Sequence, residues 1–190
     1  MLVGPSELPY GLAALAGAAP VERLQEMRVA VSLTILVGTM TGTAELVAEE
    51  VRDTLEPKGH AVDIRPMDGL EASVLEPGRT YLVCTSTYGQ GDVPDNAAQL
   101  YEDLQRRRPD LAGVQYGVIA LGDRTYAETF CHGGRRFDEI MRSLKAERIG
   151  EVMEHDASAG TVPEEVAVAW AEDWVQALAA RPRLKRGEAA

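Results

Sequence analysis

The chain has 190 residues, of which 45% are hydrophobic and 26% charged, so one globular domain with a buried core is expected. Its formal net charge of -11 argues against nucleic acid and anionic membrane surfaces as partners and favours a basic partner protein. The two cysteines, Cys84 and Cys131, lie far apart in sequence. This spacing indicates a reducing compartment, the cytoplasm, rather than a disulfide framework.

The N-terminal region contains a short apolar stretch, and the first cationic side chain of the sequence is Arg23. A secretory signal begins with basic residues and a bilayer span needs ~20 apolar residues, so neither is predicted. We expect residues 1–26 to form an extension or an extra helix, with Met27 as an alternative start of the protein. Residues 27–180 are expected to form the domain, and residues 181–190 a flexible basic tail.

Five apolar runs that are typical of strands alternate with amphipathic helical patterns. The runs are residues 29–37, 61–64, 80–85, 114–121 and 148–153. Strands that alternate with helices form a parallel sheet with helices on both faces. The sequence therefore predicts an α/β fold with a doubly wound, five-stranded parallel sheet. Because such sheets bind ligands beyond the carboxyl ends of their strands, the loops after Val37, Thr85 and Leu121 are the candidate site.

Capping patterns predict where two of the helices begin. Asp95 is expected to cap the helix that follows it, and residues 161–164, Thr-Val-Pro-Glu, form a predicted capping box for the last helix. That helix is expected to bury one stripe of side chains, namely Ala167, Trp170, Trp174 and Leu178. Residues 69–77 allow one short helix, and His60 and His155 are expected at the surface.

The first candidate loop, residues 39–44, lies between a strand end and a helix start. It contains three threonines and Gly42 but no lysine, so neither the Walker pattern nor the dinucleotide pattern is present. Backbone N–H groups at a helix N-terminus can bind phosphate without a cation. A terminal monophosphate is the expected ligand, and an ordinary capped turn is the alternative.

Each of the other two loops places a tyrosine at a strand end. The second loop, residues 86–97, reads STYGQGDVPDNA and contains Tyr88, while the third, residues 121–134, reads LGDRTYAETFCHGG and contains Tyr126. Phe130 is expected to anchor the third loop in the core. Two aromatic rings beside a phosphate cradle that lacks a cation indicate a planar ring with a phosphate tail. FMN is such a molecule.

The motifs TMTGTAE, TYGQGDVPDNA and LGDRTY…FC resemble those of the flavodoxin family, over about residues 33–178. The similarity is closest to short-chain MioC-type proteins and to the FMN domains of diflavin reductases such as the sulfite reductase flavoprotein. It implies the strand order 2-1-3-4-5, an FMN cofactor, and two tyrosines that flank the flavin. The FMN-binding residues that it implies are Thr39, Met40, Thr41, Gly42, Thr43, Ala44, Ser86, Thr87, Tyr88, Gly89, Gly91, Leu121, Gly122, Asp123, Tyr126, Phe130, Cys131 and Asp156.

The resemblance implies an electron carrier without catalytic residues of its own. It would pass electrons singly from an NADPH-dependent flavoprotein reductase to an acceptor redox enzyme, docking as a monomer through an acidic surface. Two alternatives stay open at this point. An FMN-dependent NAD(P)H:quinone-type oxidoreductase would need an open flavin face, which two covering tyrosines disfavour. A flavin-free interaction module would use the same topology without a cofactor.

Overall fold

A single parallel sheet organises residues 29–181, the part of the chain that the computed structural model describes. Its strands are β1 Ser32–Gly38, β2 Ala61–Pro66, β3 Thr80–Ser86, β4 Gln115–Gly122, β5 Glu147–Arg148 and β6 Met153–Asp156. The order is β2-β1-β3-β4, and both β5 and β6 pair with β4. The predicted order 2-1-3-4-5 is confirmed, with the fifth position shared by two short strands.

The fifth strand was expected to run unbroken through residues 148–153, and this prediction is wrong. Gly150 interrupts it with a φ of 69°, a left-handed conformation that a regular strand does not use. The Arg148 side chain donates from Nε to the Gly150 carbonyl at 3.0 Å, and this hydrogen bond stabilises the interruption of the strand. The apolar pattern does not reveal this break, because Ile149 before it and Met153 after it are both buried.

Four helices cover the two faces of the sheet. They are α1 Thr43–Leu55, α2 Asp95–Arg107, α3 His132–Ser143 and α4 Pro163–Ala179. Side chains of α1 and α4 share one core cluster, and those of α2 and α3 share the other. Because both faces are covered, the central strands are apolar on both sides, which explains their uninterrupted hydrophobic runs. The ambiguous residues 69–77 contain only a single 3-10 turn, Ala72–Val74.

Close packing of α4 on the sheet depends on a glycine. A Cβ atom at Gly117 of β4 would lie 2.6 Å from the indole of Trp174, so no larger residue fits there without displacement. The Trp174 Nε1–H donates to the Ile149 carbonyl at 2.9 Å, which satisfies the polar atom of the buried ring. Trp170 stacks on Trp174 with a centroid separation of 5.8 Å but is only partly buried, contrary to the prediction.

Both predicted helix caps are wrong. Helix α2 begins at Asp95 itself, after Pro94, and the Asp95 side chain makes no capping hydrogen bond. Helix α4 begins at Pro163, and the hydroxyl of Thr161 lies 3.1 Å from the ring nitrogen of His155 instead of capping the helix. Proline suits the first helical position because its fixed φ is already helical and it has no N–H to satisfy.

The predicted extension, residues 1–26, lies outside the described residues, as does the predicted tail after its first residue. That residue, Arg181, forms an ion pair with Glu147. Among residues 29–181, no helix combines the length and the apolar character that crossing a membrane requires.

Candidate functional site

A cavity of about 540 Å³ opens where the carboxyl ends of the central strands meet. It is lined by Thr43, Ser86, Thr87, Tyr88, Gly89, Leu121, Gly122, Asp123, Tyr126, Thr129, His155, Ala157, Thr161 and Pro163. Its volume falls in the range of small-molecule sites, roughly 300–1,000 Å³. None of the lining residues is a lysine or arginine, so an anion bound here would rely on neutral donors.

Residues 39–44 form a tight turn into α1 at one end of the cavity. Gly42 precedes the helix with a φ of 90°, and its N–H donates to the Thr39 hydroxyl at 2.9 Å. Among the described residues, none accepts a hydrogen bond from the backbone N–H of Thr41 or Thr43. These free donors coincide with the positive end of the α1 dipole, so the turn is suited to bind an anion.

The second loop is closed by a pair of backbone hydrogen bonds. The Tyr88 N–H donates to the Asp92 carbonyl at 3.0 Å, and the Asp92 N–H donates back to Tyr88 at 2.8 Å. Between them, Gly91 has a φ of 90° and would place a Cβ atom 2.8 Å from the His132 ring, so glycine is needed here. The closed loop presents the Tyr88 side chain at the cavity rim, 50% exposed.

The third loop carries the more exposed of the two tyrosines. A 3-10 turn, Arg124–Tyr126, begins where the Asp123 carboxylate accepts from the Thr125 N–H at 2.8 Å and from its hydroxyl at 2.6 Å. Tyr126 is 70% exposed, whereas Phe130 is buried, as predicted for an anchor. The Arg124 guanidinium lies 4.3 Å from the Phe130 ring centroid, so a cation–π contact adds to the anchoring.

Asp156 links the third loop to the loop after β6. Its Oδ1 atom accepts from the Arg124 N–H at 3.0 Å and from the N–H and hydroxyl of Ser158 at 2.9 and 2.7 Å. The hydrogen bond from Arg124, followed by those from Ser158, holds the pKa of Asp156 below its usual range. Asp156 does not line the cavity, so its contribution is to hold two loops together beside it.

Half of the predicted site residues line the cavity. They are Thr43, Ser86, Thr87, Tyr88, Gly89, Leu121, Gly122, Asp123 and Tyr126. The other residues of the first loop adjoin Thr43 in the chain. Gly91 does not line the cavity, but it shapes the second loop. Cys131 is buried, its Sγ 3.3 Å from the Ala120 carbonyl, and burial raises the pKa of its thiol to about 12. The binding roles of all these residues stay predictions.

Five lining residues were missed, and the clearest is His155. It was expected at the surface but is 5% exposed, with Nε2 3.1 Å from the Thr161 hydroxyl and 3.2 Å from its carbonyl. His155 pairs in register with Leu121, which places it beside a predicted site residue. The signal was present in the alternation of Met153 and His155 along one strand face, but the predicted strand ended too early to use it. The other four are Thr129, Ala157, Thr161 and Pro163.

The arrangement suits a ligand with a flat aromatic part and an anionic end. Free backbone donors lie at the α1 side of the cavity, and two tyrosines lie at its rim. The walls between them contain no lysine or arginine; Asp123 contributes a carboxylate and His155 an imidazole. Such a site can hold and cover a planar cofactor, and within residues 29–181 no group of three or more His, Cys, Asp or Glu side chains is placed to hold a metal ion.

Comparison with known proteins agrees with the resemblance to flavodoxins. The family model described as Flavodoxin matches residues 35–170. Flavodoxin YqcA of Pectobacterium carotovorum subsp. carotovorum is 40% identical over 147 residues, which cover 77% of this chain and 97% of that protein. The sulfite reductase [NADPH] flavoprotein alpha-component of Bacillus subtilis is 34% identical, over 77% of this chain and 24% of that protein. Among solved structures, a mutant of flavodoxin from Pseudomonas aeruginosa matches with a TM-score of 0.69 and 34% identity, covering 78% of this chain and 99% of that one.

Proposed function

Since this chain belongs to the flavodoxin family and is an FMN-binding electron-transfer protein, we propose that it carries electrons singly from an NADPH-dependent flavoprotein reductase to an acceptor redox enzyme. The observation that carries the proposal is a cavity without lysine or arginine, set between free helix-start donors and two exposed tyrosines. The NADPH-linked flavoprotein among the relatives supports this class of donor.

Bound FMN supplies the redox chemistry, and the protein supplies binding, covering and charge. In this proposal the free N–H groups of Thr41 and Thr43 hold the phosphate, with the threonine hydroxyls as further donors. Tyr88 and Tyr126 cover the flavin ring and limit its contact with water. Rings on both sides leave no open face for a nicotinamide and a second substrate, which supports a carrier over a quinone-type oxidoreductase.

The charge around the cavity favours a strongly reducing cofactor. No lysine or arginine lines the cavity to offset the negative charge that a flavin gains on full reduction, and the Asp123 carboxylate adds to it. The nearby Arg124 is already paired, with its Nε 3.6 Å from Asp156. Because like charges repel most strongly where water is excluded, we expect the second reduction potential to be low.

Docking is proposed to use acids at the carboxyl edge of the sheet. Glu45, Asp95 and Glu128 are exposed and form no ion pair among the described residues, so their charge is available to a basic partner. In contrast, Asp92 is paired with Arg136 at 2.9 Å. Opposite charges steer association and make it sensitive to salt. We further propose that the protein acts as a monomer. A cytoplasmic location is proposed because both cysteines of the chain are unpaired.

Stopped-flow measurements under anaerobic conditions test the proposal. The FMN-loaded protein should not oxidise NADPH alone, should be reduced when a flavoprotein reductase is added, and should be reduced more slowly as ionic strength rises. Rapid oxidation of NADPH by the protein alone would instead support the quinone-type oxidoreductase. Mass spectrometry of the heat-released cofactor should identify FMN, and recovery of mainly FAD would contradict the assignment of the phosphate loop.

A further inference from the structure

Asn96 joins three separate segments of the chain through one amide group. It lies in the first turn of α2, directly after the second loop, and is not among the residues that line the cavity. Its Oδ1 accepts from the Thr39 N–H at 2.9 Å, and its Nδ2 donates to the Val37 carbonyl and to the Asp68 carboxylate, both at 3.3 Å. The end of β1 and the start of the phosphate loop are therefore attached to α2.

Only one orientation of this amide satisfies all three contacts. The Thr39 N–H is a donor and requires an oxygen, whereas the Val37 carbonyl and the Asp68 carboxylate are acceptors and require the NH₂ group. A flipped amide would set its oxygen against two acceptors and its NH₂ against a donor. The orientation is thus determined by the neighbours, and a carboxylate at this position could replace only the contact to Thr39.

The constraint at Thr39 is passed on along the loop. With its N–H held by Asn96, Thr39 presents its hydroxyl to the Gly42 N–H at 2.9 Å, and Gly42 then leads into α1. A second contact from α2 supports the same segment, because the Asp95 N–H lies 3.3 Å from the Met40 Sδ. The start of α2 therefore shapes the turn whose N–H groups are free to bind an anion.

We propose that Asn96 is a positioning residue that sets the phosphate loop and thereby lets the protein discriminate FMN from riboflavin. The inference rests on the FMN function described above and goes beyond it, since it assigns phosphate selectivity to a side chain outside the cavity. Asn96 acts through Thr39 and Gly42, and it ties the phosphate loop to the helix on which the Tyr88 loop ends.

The test compares two flavins that differ only in the phosphate. The apo-protein is titrated with FMN and with riboflavin, and flavin fluorescence reports binding. Asn96→Ala should weaken FMN on the order of tenfold, as expected for the loss of one or two net hydrogen bonds, and riboflavin by less than about threefold. Gln99→Ala is the matched control, because the Gln99 amide lies one turn further along α2 and, within residues 29–181, bonds only the Gly69 carbonyl. It should leave both affinities unchanged.

A second variant separates positioning from general stability. Asn96→Asp has nearly the same shape and retains an acceptor for Thr39, but it loses both donor contacts and faces Asp68 with a like charge. It should weaken FMN more than Asn96→Ala does, and the loss should shrink as salt rises. Equal losses for FMN and riboflavin, or FMN affinity like that of the wild type in either variant, would overturn the proposal. Failure of the wild-type protein to bind FMN would instead overturn the function itself.

Discussion

The Oδ1 atom of Asp156 accepts a hydrogen bond from the backbone N–H of Arg124 at 3.0 Å, which joins the end of β6 to the loop that bears Tyr126. The Arg124 side chain also contacts this carboxylate, since its Nε lies 3.6 Å from Asp156 Oδ2. Asp156 therefore holds the third loop in position beside the cavity, because its oxygens contact Arg124 and Ser158 and do not line the cavity. Removing the Asp156 carboxylate should therefore change the position of the loop that bears Tyr126.

Asp156→Ala should lower both FMN affinity and thermal stability, because the third loop loses its attachment. The pKa of Asp156 is below its ordinary value of 3.8, so the stabilisation is complete above that pH and is lost as the pH falls through the lowered pKa. The difference in melting temperature between wild type and variant should therefore be constant near neutral pH and narrow below about pH 4.

Asp110→Ala is the control for this experiment. Asp110 also accepts from a backbone N–H, that of Ala112, and pairs with Lys145, but it lies away from the cavity. Its pKa is lowered too, first by the hydrogen bond from Lys145. Asp110→Ala should lower stability with the same pH dependence and leave FMN affinity intact. A loss of FMN affinity in both variants would show that Asp156 acts only through global stability.

Threonines of the first loop should matter for the phosphate alone. Thr43→Val and Thr41→Val should each weaken FMN by about 1–3 kcal/mol, the cost of leaving phosphate oxygens without a donor. Riboflavin binding should hardly change. Thr54→Val, in the last turn of the same helix, is the control and should affect neither ligand. Equal losses for both flavins in calorimetric titrations would contradict phosphate binding by this loop.

The two exposed tyrosines should tune the reduction potential more than the fold. Stacking on an electron-rich ring favours the oxidised flavin over its reduced anion, so Tyr88→Ala or Tyr126→Ala should raise the second reduction potential. A stacking energy of about 0.5–1.5 kcal/mol corresponds to roughly 20–65 mV for one electron. The phenylalanine variants retain the ring and should stay close to the wild type. Unchanged potentials in both alanine variants, with FMN still bound, would contradict the stacking assignment.

Docking can be tested by neutralising Glu45, Asp95 and Glu128 at the carboxyl edge together. The triple variant Glu45→Gln, Asp95→Asn, Glu128→Gln should be reduced more slowly by a basic-faced reductase at low salt, because long-range attraction is lost. The difference should disappear at high salt, where exposed charges are screened within a few ångströms.

A variant with the same change in net charge provides the control. Glu102→Gln, Glu139→Gln and Asp173→Asn remove three exposed acids from the later turns of α2, α3 and α4, away from the cavity. If both triple variants slow reduction equally, total charge rather than a local docking surface governs the encounter.

The covered parallel sheet and the three site loops could be predicted because they depend on local and periodic signals, whereas the strand order was implied by the resemblance of three motifs to the flavodoxin family. Alternating apolar runs predict a covered parallel sheet, and loops after its strand ends meet at one edge whatever the packing details. Phe130 could be predicted as an anchor because a large apolar side chain in a polar loop is most stable when it is buried in the core. These features require no knowledge of distant contacts.

Several of the features that were missed or misplaced depend on tertiary contacts. His155 is buried because Leu121 of the neighbouring strand lies beside it, and Leu121 is distant in sequence. Threonine is a residue type that commonly caps helices, but the Thr161 hydroxyl is bound to His155. The helix begins at Pro163 instead. The structural role of Asn96 likewise arises from Thr39 and Asp68, which lie 57 and 28 residues away.

The interruption between β5 and β6 also affects how this sheet edge meets other molecules. An exposed edge strand offers a row of free carbonyl and N–H groups with which a second chain can extend the sheet and begin to aggregate. Here the edge consists of two and four residues, separated by a turn. The carbonyls of Ile149 and Gly150 already accept from Trp174 and Arg148. A foreign strand finds no continuous ladder on this side, so the interruption protects the fold against edge-to-edge polymerisation.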